Sequence, residues 1–510
     1  MNITKRRMFP ALLTILLFAT LLAGCAGKQS DAGQNDASQK EITCAADLEG
    51  ARIGVQLGTT GDIYVSDYEG DEAGTKIERY NKGADAIQAL KLGKIDCVVI
   101  DEQPGLQFVK QNSNIRIIDE EFTLEDYAFC VAKENTELLD NINGALEKLK
   151  ADGTIDSIVK NYIGTEEEVG QYPYVSKEVE RNNGTLIIGT NAEFPPYEYY
   201  DNNQVTGIDI DIMRAISDEL GMDIQVEDMA FDSIIAAITS GKVNVGASGF
   251  TVTEERKKNI NFTDTYITTK QVIIVMGDSD TQKASIGEKF YDNFIKDSRY
   301  MYIVKGLGNT LLITLLAVTI GIILGFIIAI IRTGYDRNGE LPILNAICKV
   351  YLTVMRGTPV MIQLLIIYYV ILASATNKIM VAAIAFGLNS AAYVAEIVRS
   401  GIMSVDIGQF EAGRSLGLNY QQTMQSIVLP QAIKNILPAL LNEVISLLKE
   451  TSISGYIAIP DLTKGGDLIR SQTFDAYLPL FGIAIIYLAI VMLLTAGVHK
   501  LEMRLRTNER

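Results

Sequence analysis

Two regimes of hydrophobic patterning divide the chain. From residue 48 to about 276, short apolar runs alternate with segments whose apolar positions recur every three to four residues. The runs predict strands at 52–56, 97–100, 187–189, 224–226 and 243–247. The periodic segments predict helices at 84–92, 141–150, 155–162, 208–220 and 231–240, with Gly58-Thr59-Thr60-Gly61 opening another. Such strand–helix alternation implies largely parallel sheets with helices on both faces. Farther on the runs lengthen. Residues 309–331 form one apolar stretch, enough to cross a bilayer of ~30 Å. Further candidate spans at 358–374, 379–399, 433–457 and 477–498 bring the expected number to five.

Charge gives this second half a direction. Arg332, Arg337, Lys349 and Arg356 flank the first two spans. Arg414 and Lys434 follow the third, and Lys500, Arg504, Arg506 and Arg510 follow the last. The positive-inside tendency puts these residues in the cytoplasm and the amino end of the first span outside. The extreme N-terminus agrees, because Lys5, Arg6 and Arg7 precede an apolar run over 11–22, the pattern of an export signal. The expected location is a multi-pass membrane position with the α/β part on the extracytoplasmic side.

Composition narrows the chemistry. The 510 residues carry a net charge of -17. From Met301 onward Lys and Arg outnumber Asp and Glu, so the acid excess lies in the first part. Nucleic-acid binding, which wants a basic face, is not expected. One histidine, His499, leaves no His-based triad or zinc cluster, and there is no Gly-x-x-x-x-Gly-Lys-Ser/Thr loop. No cofactor is expected, and ATP would have to be bound by another subunit. Cys97 and Cys130 sit in apolar strand-like runs and read as buried free thiols, with a disulfide left open.

The polar stretch 411–430, EAGRSLGLNYQQTMQSIVLP, lies between strongly apolar runs. It resembles the loop by which the membrane subunit of an ABC importer docks on its ATPase. The resemblance gives Glu411, Ala412 and Gly417 the coupling role. Gly413 stands where that family usually has Ala. Residues 356–365, 391–402 and 440–453 also match permeases of polar amino-acid importers in style. Glu396, Glu443, Lys449 and Glu450 lie in or at the ends of apolar helices, as pathway residues or as structural ion pairs.

The earlier part resembles the two lobes of a periplasmic-type polar amino-acid binding protein, in reversed order. Residues 189–212 and 249–267 look like the first lobe, 47–62 like the start of the second, and 124–164 like the family's C-terminal end. The fold expected is therefore an α/β bilobed binding domain of type II, circularly permuted, followed by an all-α membrane domain of five helices. The alternative is two truncated domains pairing across a dimer. Leu22-Ala23-Gly24-Cys25 resembles a lipobox, with Cys25 lipidated. The expected organisation is a signal peptide at 1–24, a tether at 25–46, and lobe 2 with return helices at 47–164. A linker at 165–184, lobe 1 at 185–277, a linker at 278–302 and the permease domain at 303–510 complete it.

An amino-acid zwitterion needs a cation and N–H donors for its carboxylate and an anion for its ammonium. By resemblance, Arg256 clamps the carboxylate with help from Thr251 and Thr60, while Asp101 takes the ammonium and Gly249 offers a carbonyl. Phe194 and Phe231 sandwich the aliphatic stem. Asn191, Glu193 and Gln56 face or border the side chain. The function implied is the binding and membrane-spanning subunit of an amino-acid ABC importer, a homodimer in its membrane domain, powered by a separate ATPase. A ligand-gated receptor or channel with similar lobes is the rival. An enzyme is disfavoured because no nucleophile–base–orienter set is visible.

Overall fold

The computed structural model describes residues 40–507, except 71, 119, 121–122, 202–203, 278–284, 374, 376 and 474. The signal segment and Cys25 lie outside the described residues.

Among the described residues fourteen strands run in chain order. They are β1 (Arg52–Gln56), β2 (Lys76–Tyr80), β3 (Cys97–Asp101), β4 (Ile115–Ile117), β5 (Thr123–Tyr127), β6 (Cys130–Ala132) and β7 (Thr185–Thr190). Next come β8 (Glu193–Phe194), β9 (Glu198–Asp201), β10 (Gln204–Thr206), β11 (Asp223–Asp228), β12 (Val245–Gly246), β13 (Ile260–Phe262) and β14 (Ile267–Met276). One sheet has the order β2-β1-β3-β14-β4, with β5 also on β14; the other has the order β11-β7-β12-β6-β13. A small β10-β9-β8 sheet completes the set. Each main sheet is the core of one lobe. All five residues of β3 are buried, as expected of a strand covered on both faces.

The sheets are less parallel than the alternation predicts. The β2-β1-β3 and β11-β7-β12 cores are parallel. However, β14 pairs antiparallel with β3, β4 and β5, and β6 pairs antiparallel with β12 and β13. The reason is that β6 and β14 arrive from the other lobe without a crossover helix. This corrects the expected boundary of lobe 1 at residue 277: residues 267–276 belong to the lobe 2 sheet. It also places β6, from the 47–164 segment, in lobe 1. The chain crosses between lobes at 128–129 and 263–266.

The 165–184 segment is pinned against the helix Ile208–Leu220 by one carboxylate. Asp218 accepts hydrogen bonds from Tyr174 Oη (2.7 Å), Ser176 Oγ (3.1 Å) and the Lys177 backbone N–H (2.7 Å), and pairs with Arg181.

Beyond residue 300 the described chain is helical. Three helices are long and apolar enough to cross a membrane: Tyr300–Asp336, Lys378–Met403 and Tyr477–Arg504. A fourth candidate is the bent pair Pro342–Gly357 and Val360–Ile371, broken by 110°. The five expected spans thus become three or four on length and composition among the described residues. The 433–457 stretch falls in the helix Leu429–Glu450, where Lys434, Pro438, Glu443, Lys449 and Glu450 dilute the apolar run. The helices Pro342–Gly357 and Leu462–Thr473 were not expected, since neither is an unbroken apolar run. Small residues let the helices Tyr300–Asn338 and Lys378–Met403 approach closely: a Cβ on Gly325 would lie 2.5 Å from Val394, and one on Gly387 would lie 2.7 Å from Ile320.

The binding lobes rest on one end of these helices. Lys242 Nζ donates to the Ala375 carbonyl at 2.9 Å and sits 3.9 Å above the Tyr368 ring. Lys378 pairs with Glu227. At the other end Glu396 gathers Arg332 (3.4 Å), Arg356 (3.8 Å) and Arg399 (3.0 Å). Glu396 is therefore a structural ion-pair centre. Glu443 accepts from Ser390 Oγ at 2.9 Å between two helices.

Candidate functional site

Between the lobes lies a narrow cleft, about 280 Å³ when the space open to solvent at its mouth is counted. Gln56, Thr60, Asp101, Asn191, Phe194, Phe231 and Gly249 all line it, drawn from both segments of the chain. Thr59 and Ser248, next in sequence to expected residues, line it too. Strand ends and the turns beside them supply most of these groups. Gln56 ends β1, Asp101 ends β3, Asn191 follows β7, and Phe194 lies on β8.

The lobes touch across the cleft. Gln56 Nε2 donates to Asn191 Oδ1 at 3.2 Å, and Thr60 Oγ1 donates to Thr251 Oγ1 at 2.7 Å. Arg256, 6% exposed, donates from Nη1 to the Thr251 carbonyl (2.9 Å) and from Nη2 to the Gly58 carbonyl (2.8 Å). Its guanidinium also lies 5.5 Å from the Phe231 ring and 5.4 Å from the Phe250 ring. Thr251 and Arg256 thus stand just behind the lining and tie Gly58 of one lobe to the other.

Asp101 is the acidic group of the lining. Burial pushes its carboxyl up to about 7, and the nearby Glu125 charge adds to the rise; hydrogen bonds from Tyr127 and Gln271 oppose it. Glu125 is itself raised by burial and accepts from Thr251 Oγ1 at 2.6 Å. Beneath the floor, Asp209 accepts from the Gly249 N–H (2.9 Å) and Tyr266 Oη (2.6 Å), and burial raises it to about 7. Glu198, raised well above the usual range by burial, accepts from Ser248 Oγ at 2.6 Å. Glu125 and Tyr127 carried no sequence signal beyond a strand pattern.

Glu193 is not part of this lining, which corrects its expected place beside the ligand side chain. It is turned toward the membrane part, where Lys464 Nζ of the permease domain (2.8 Å) and Lys82 Nζ of the other lobe (2.9 Å) meet its Oε1. Burial alone would raise its carboxyl, but the two ammonium groups prevail and hold it at about 2.

At the opposite end, the helices Gly408–Ser415 and Tyr420–Thr423 form an exposed knob. Glu411, Ala412 and Gly417 are all exposed on it. Gly417 turns the chain at φ 79°, which a side chain would strain. Gly413 has a steric reason: a Cβ there would lie 2.7 Å from both Cγ2 and Oγ1 of Thr423.

The sequence profile of the bacterial extracellular solute-binding proteins, family 3, matches residues 186–458. The chain belongs to that family and, through its membrane part, to the ABC transporter permeases. The arginine transport system permease protein ArtQ of Bacillus subtilis (strain 168) is 36% identical over 211 residues, 41% of this chain and 94% of that protein. The L-cystine transport system permease protein TcyB of the same organism is 35% identical over 216 residues, 42% of this chain and 90% of that protein. A crystal structure of an amino acid ABC transporter with histidines is 36% identical, with a TM-score of 0.39, covering 44% of this chain and 100% of its own. A solute-binding domain and a permease domain are therefore joined in one membrane protein. It is a transport component of the membrane.

Proposed function

We propose that the cleft binds one polar amino acid outside the cytoplasm and that the permease domain carries it inward when a separate ATPase docks on the knob. The observation that carries this reading is the cleft itself. A buried carboxylate, Asp101, lies in the lining and a buried guanidinium, Arg256, lies just behind it, with Phe194 and Phe231 in the same lining. That arrangement complements a zwitterion with an aliphatic stem. In this reading Asp101 takes the ammonium, Arg256 with Thr60 and Thr251 takes the carboxylate, and Gln56 and Asn191 meet the polar end. Arginine and L-cystine, named in two relatives, are candidates of this class.

The reversed lobe order is read as a circular permutation within one chain. Support comes from each main sheet drawing strands from both segments. The family match also opens at residue 186 and leaves the 47–164 segment ahead of it. The exposed apolar side chains of Leu416 and Ile407 beside Glu411 suit an ATPase contact. Two copies of the permease domain are expected to form the pathway. In such a dimer the helix Leu429–Glu450 would be a further crossing, its charges sheltered from lipid. Cys25 is read as a lipidated residue behind an export signal. Calorimetry on the full chain in nanodiscs, with each of the common amino acids and L-cystine, tests the central reading. Saturable binding of at least one is expected, and binding of none would sink it.

A further inference from the structure

One apolar surface belongs neither to the cleft nor to a membrane span. It lies on the segment that leads into the first span. Ser285 and Glu288 cap its start reciprocally: Ser285 Oγ accepts from the Glu288 N–H at 3.2 Å, and Glu288 Oε2 accepts from the Ser285 N–H at 2.8 Å. An α-helical turn, Ile286–Phe290, passes into a π turn, Tyr291–Ile295. Asp297 and Ser298, with φ 53° and 54°, then turn the chain into the helix Tyr300–Asn338. One side of the segment is fixed to the permease domain. Asn293 Nδ2 donates to Asp475 Oδ2 at 3.0 Å, and Asn293 Oδ1 accepts from Thr473 Oγ1 at 2.8 Å. Phe294 clusters with Tyr302, Leu468 and Ile469, and a Cβ on Gly482 would lie 3.2 Å from its ring. The other apolar side chains stay exposed: Ile286 81%, Tyr291 55%, Phe290 51% and Ile295 47%. Glu288, Lys289 and Asp292 fall on a different arc at helical spacing. That arc is on the side of the lobes, since the Lys289 charge adds to the burial that lowers Lys91 of lobe 2.

The last span gives the depth of this surface. Tyr477–Arg504 has 28 residues. At 1.5 Å per residue that is about 42 Å of helix, which matches a bilayer with its headgroups, about 40–45 Å. From Tyr477 at the lobe-side end to Gly482 is about 7.5 Å, which reaches the boundary between headgroups and hydrocarbon. Phe294 packs at that level. Tyr300, Tyr477 and Leu480 are exposed at the start of the same two spans. We propose that the segment 285–295 is an interfacial anchor, with Ile286, Phe290, Tyr291 and Ile295 set into the lipid boundary on the side of the binding lobes and Glu288, Lys289 and Asp292 kept in water. Aromatic and branched side chains suit that boundary, where one side of a helix is apolar and the other wet. The anchor lies in the chain between β14 and the first span, so it fixes the tether of lobe 2 at the bilayer surface. It does not depend on what the cleft binds.

The sequence contains no tryptophan, so one introduced residue reports alone. The full chain carrying Phe290→Trp is placed in phosphatidylcholine nanodiscs whose lipid is brominated either near the headgroup end of the acyl chain or near its methyl end. The shallow label should remove more than about half of the emission, and the deep label distinctly less. Tyr291→Trp should behave alike, and it stands in if Phe290→Trp does not fold. Tyr172→Trp, at an exposed position of the linker 165–184, should be quenched by neither. Emission typical of water with no quenching overturns the proposal, as does stronger quenching by the deep label. Emission typical of a buried ring that neither lipid quenches also overturns it, and would place a protein surface, such as a second copy of the chain, over the segment.

Discussion

Replacing Asp101 by Asn keeps the shape of the side chain and removes its charge. The carboxylate is 4% exposed and faces the cleft between the lobes. An ammonium closed in without it would be a buried charge lacking its partner, a loss of about 3–5 kcal/mol, or about two to four orders of magnitude in affinity. The same group sets a pH dependence. Burial pushes the Asp101 carboxyl up to about 7, well above the ordinary 3.8. Below that pH the site is protonated, and the ligand must displace the proton. Affinity should fall as pH falls, approaching tenfold per unit, so binding at pH 5 should be roughly a hundredfold weaker than at pH 8. Stability of the empty domain runs the other way. The folded value lies above the unfolded one, so Asp101 opposes folding as pH rises from 4 through 7, and Asp101→Asn should raise Tm at pH 8. Titration calorimetry at pH 5 to 8, repeated in buffers of different ionisation enthalpy, would detect the proton released on binding. A flat affinity across that range, or near-native affinity in the folded variant, would refute the reasoning.

Arg256→Ala should abolish binding, since it removes the carboxylate partner and also the tie to the Gly58 carbonyl; calorimetry on the folded variant checks it. Gly413→Ala should force apart the helices that meet at Thr423, at a cost of about 1–3 kcal/mol. Together with Gly417→Pro, which cannot adopt φ 79°, it should remove ligand-stimulated ATP hydrolysis in the complex while leaving ligand binding intact. A chain in which residues 184–276 precede 45–164 should bind the same amino acid as the native order, and equilibrium binding of the two decides whether the order is a permutation. Cys25→Ser should lose incorporation of a radiolabelled fatty acid, and labelling that persists would place the lipid elsewhere.

What the sequence made legible was local. β1, β3 and the helix Ile208–Leu220 follow from short apolar runs and a single clean period. The groups at strand ends could be named because their chemistry complements a zwitterion. The destination of β14 was not legible: its apolar run at 272–276 looks the same in either sheet, and only the pairing with β3, β4 and β5 decides. Glu193 was misread because its partners lie far along the chain, and Lys464 in particular belongs to another domain. Glu125 acts on Asp101 through space, so no spacing rule could signal it. The helix Leu462–Thr473 carries three charges and two glycines, which hides it from any search for apolar spans.

The order of segments bears on which lobe can move. Both ends of the α/β part belong to the six-stranded lobe. Ala45 donates from its backbone N–H to Glu120 at 2.6 Å, and Gly277 closes the other end on the Asn114 carbonyl at 2.8 Å. The join at 165–184 is held down by Asp218 on the far lobe and makes no link to the membrane helices through the chain. In the permuted reading, the lobe tethered through the chain is therefore the one with β14, while the lobe with β7 and β12 meets the membrane helices through side chains alone, Lys242 with Ala375 and Glu227 with Lys378, and joins its partner at 128–129 and 263–266. Nothing covalent brings that lobe back. Its return must be driven by contacts it makes only when shut: Asn191 with Gln56, Thr251 with Thr60, and Arg256 with the Gly58 carbonyl inside the cleft, then Glu193 with Lys82 at its mouth. Each is individually weak in water. An amino acid bridging Asp101 on the fixed lobe and Arg256 on the moving one adds the strong term. Closure then follows ligand occupancy, and the same charges that complete the cleft bring Glu193 within reach of Lys464 on the permease domain.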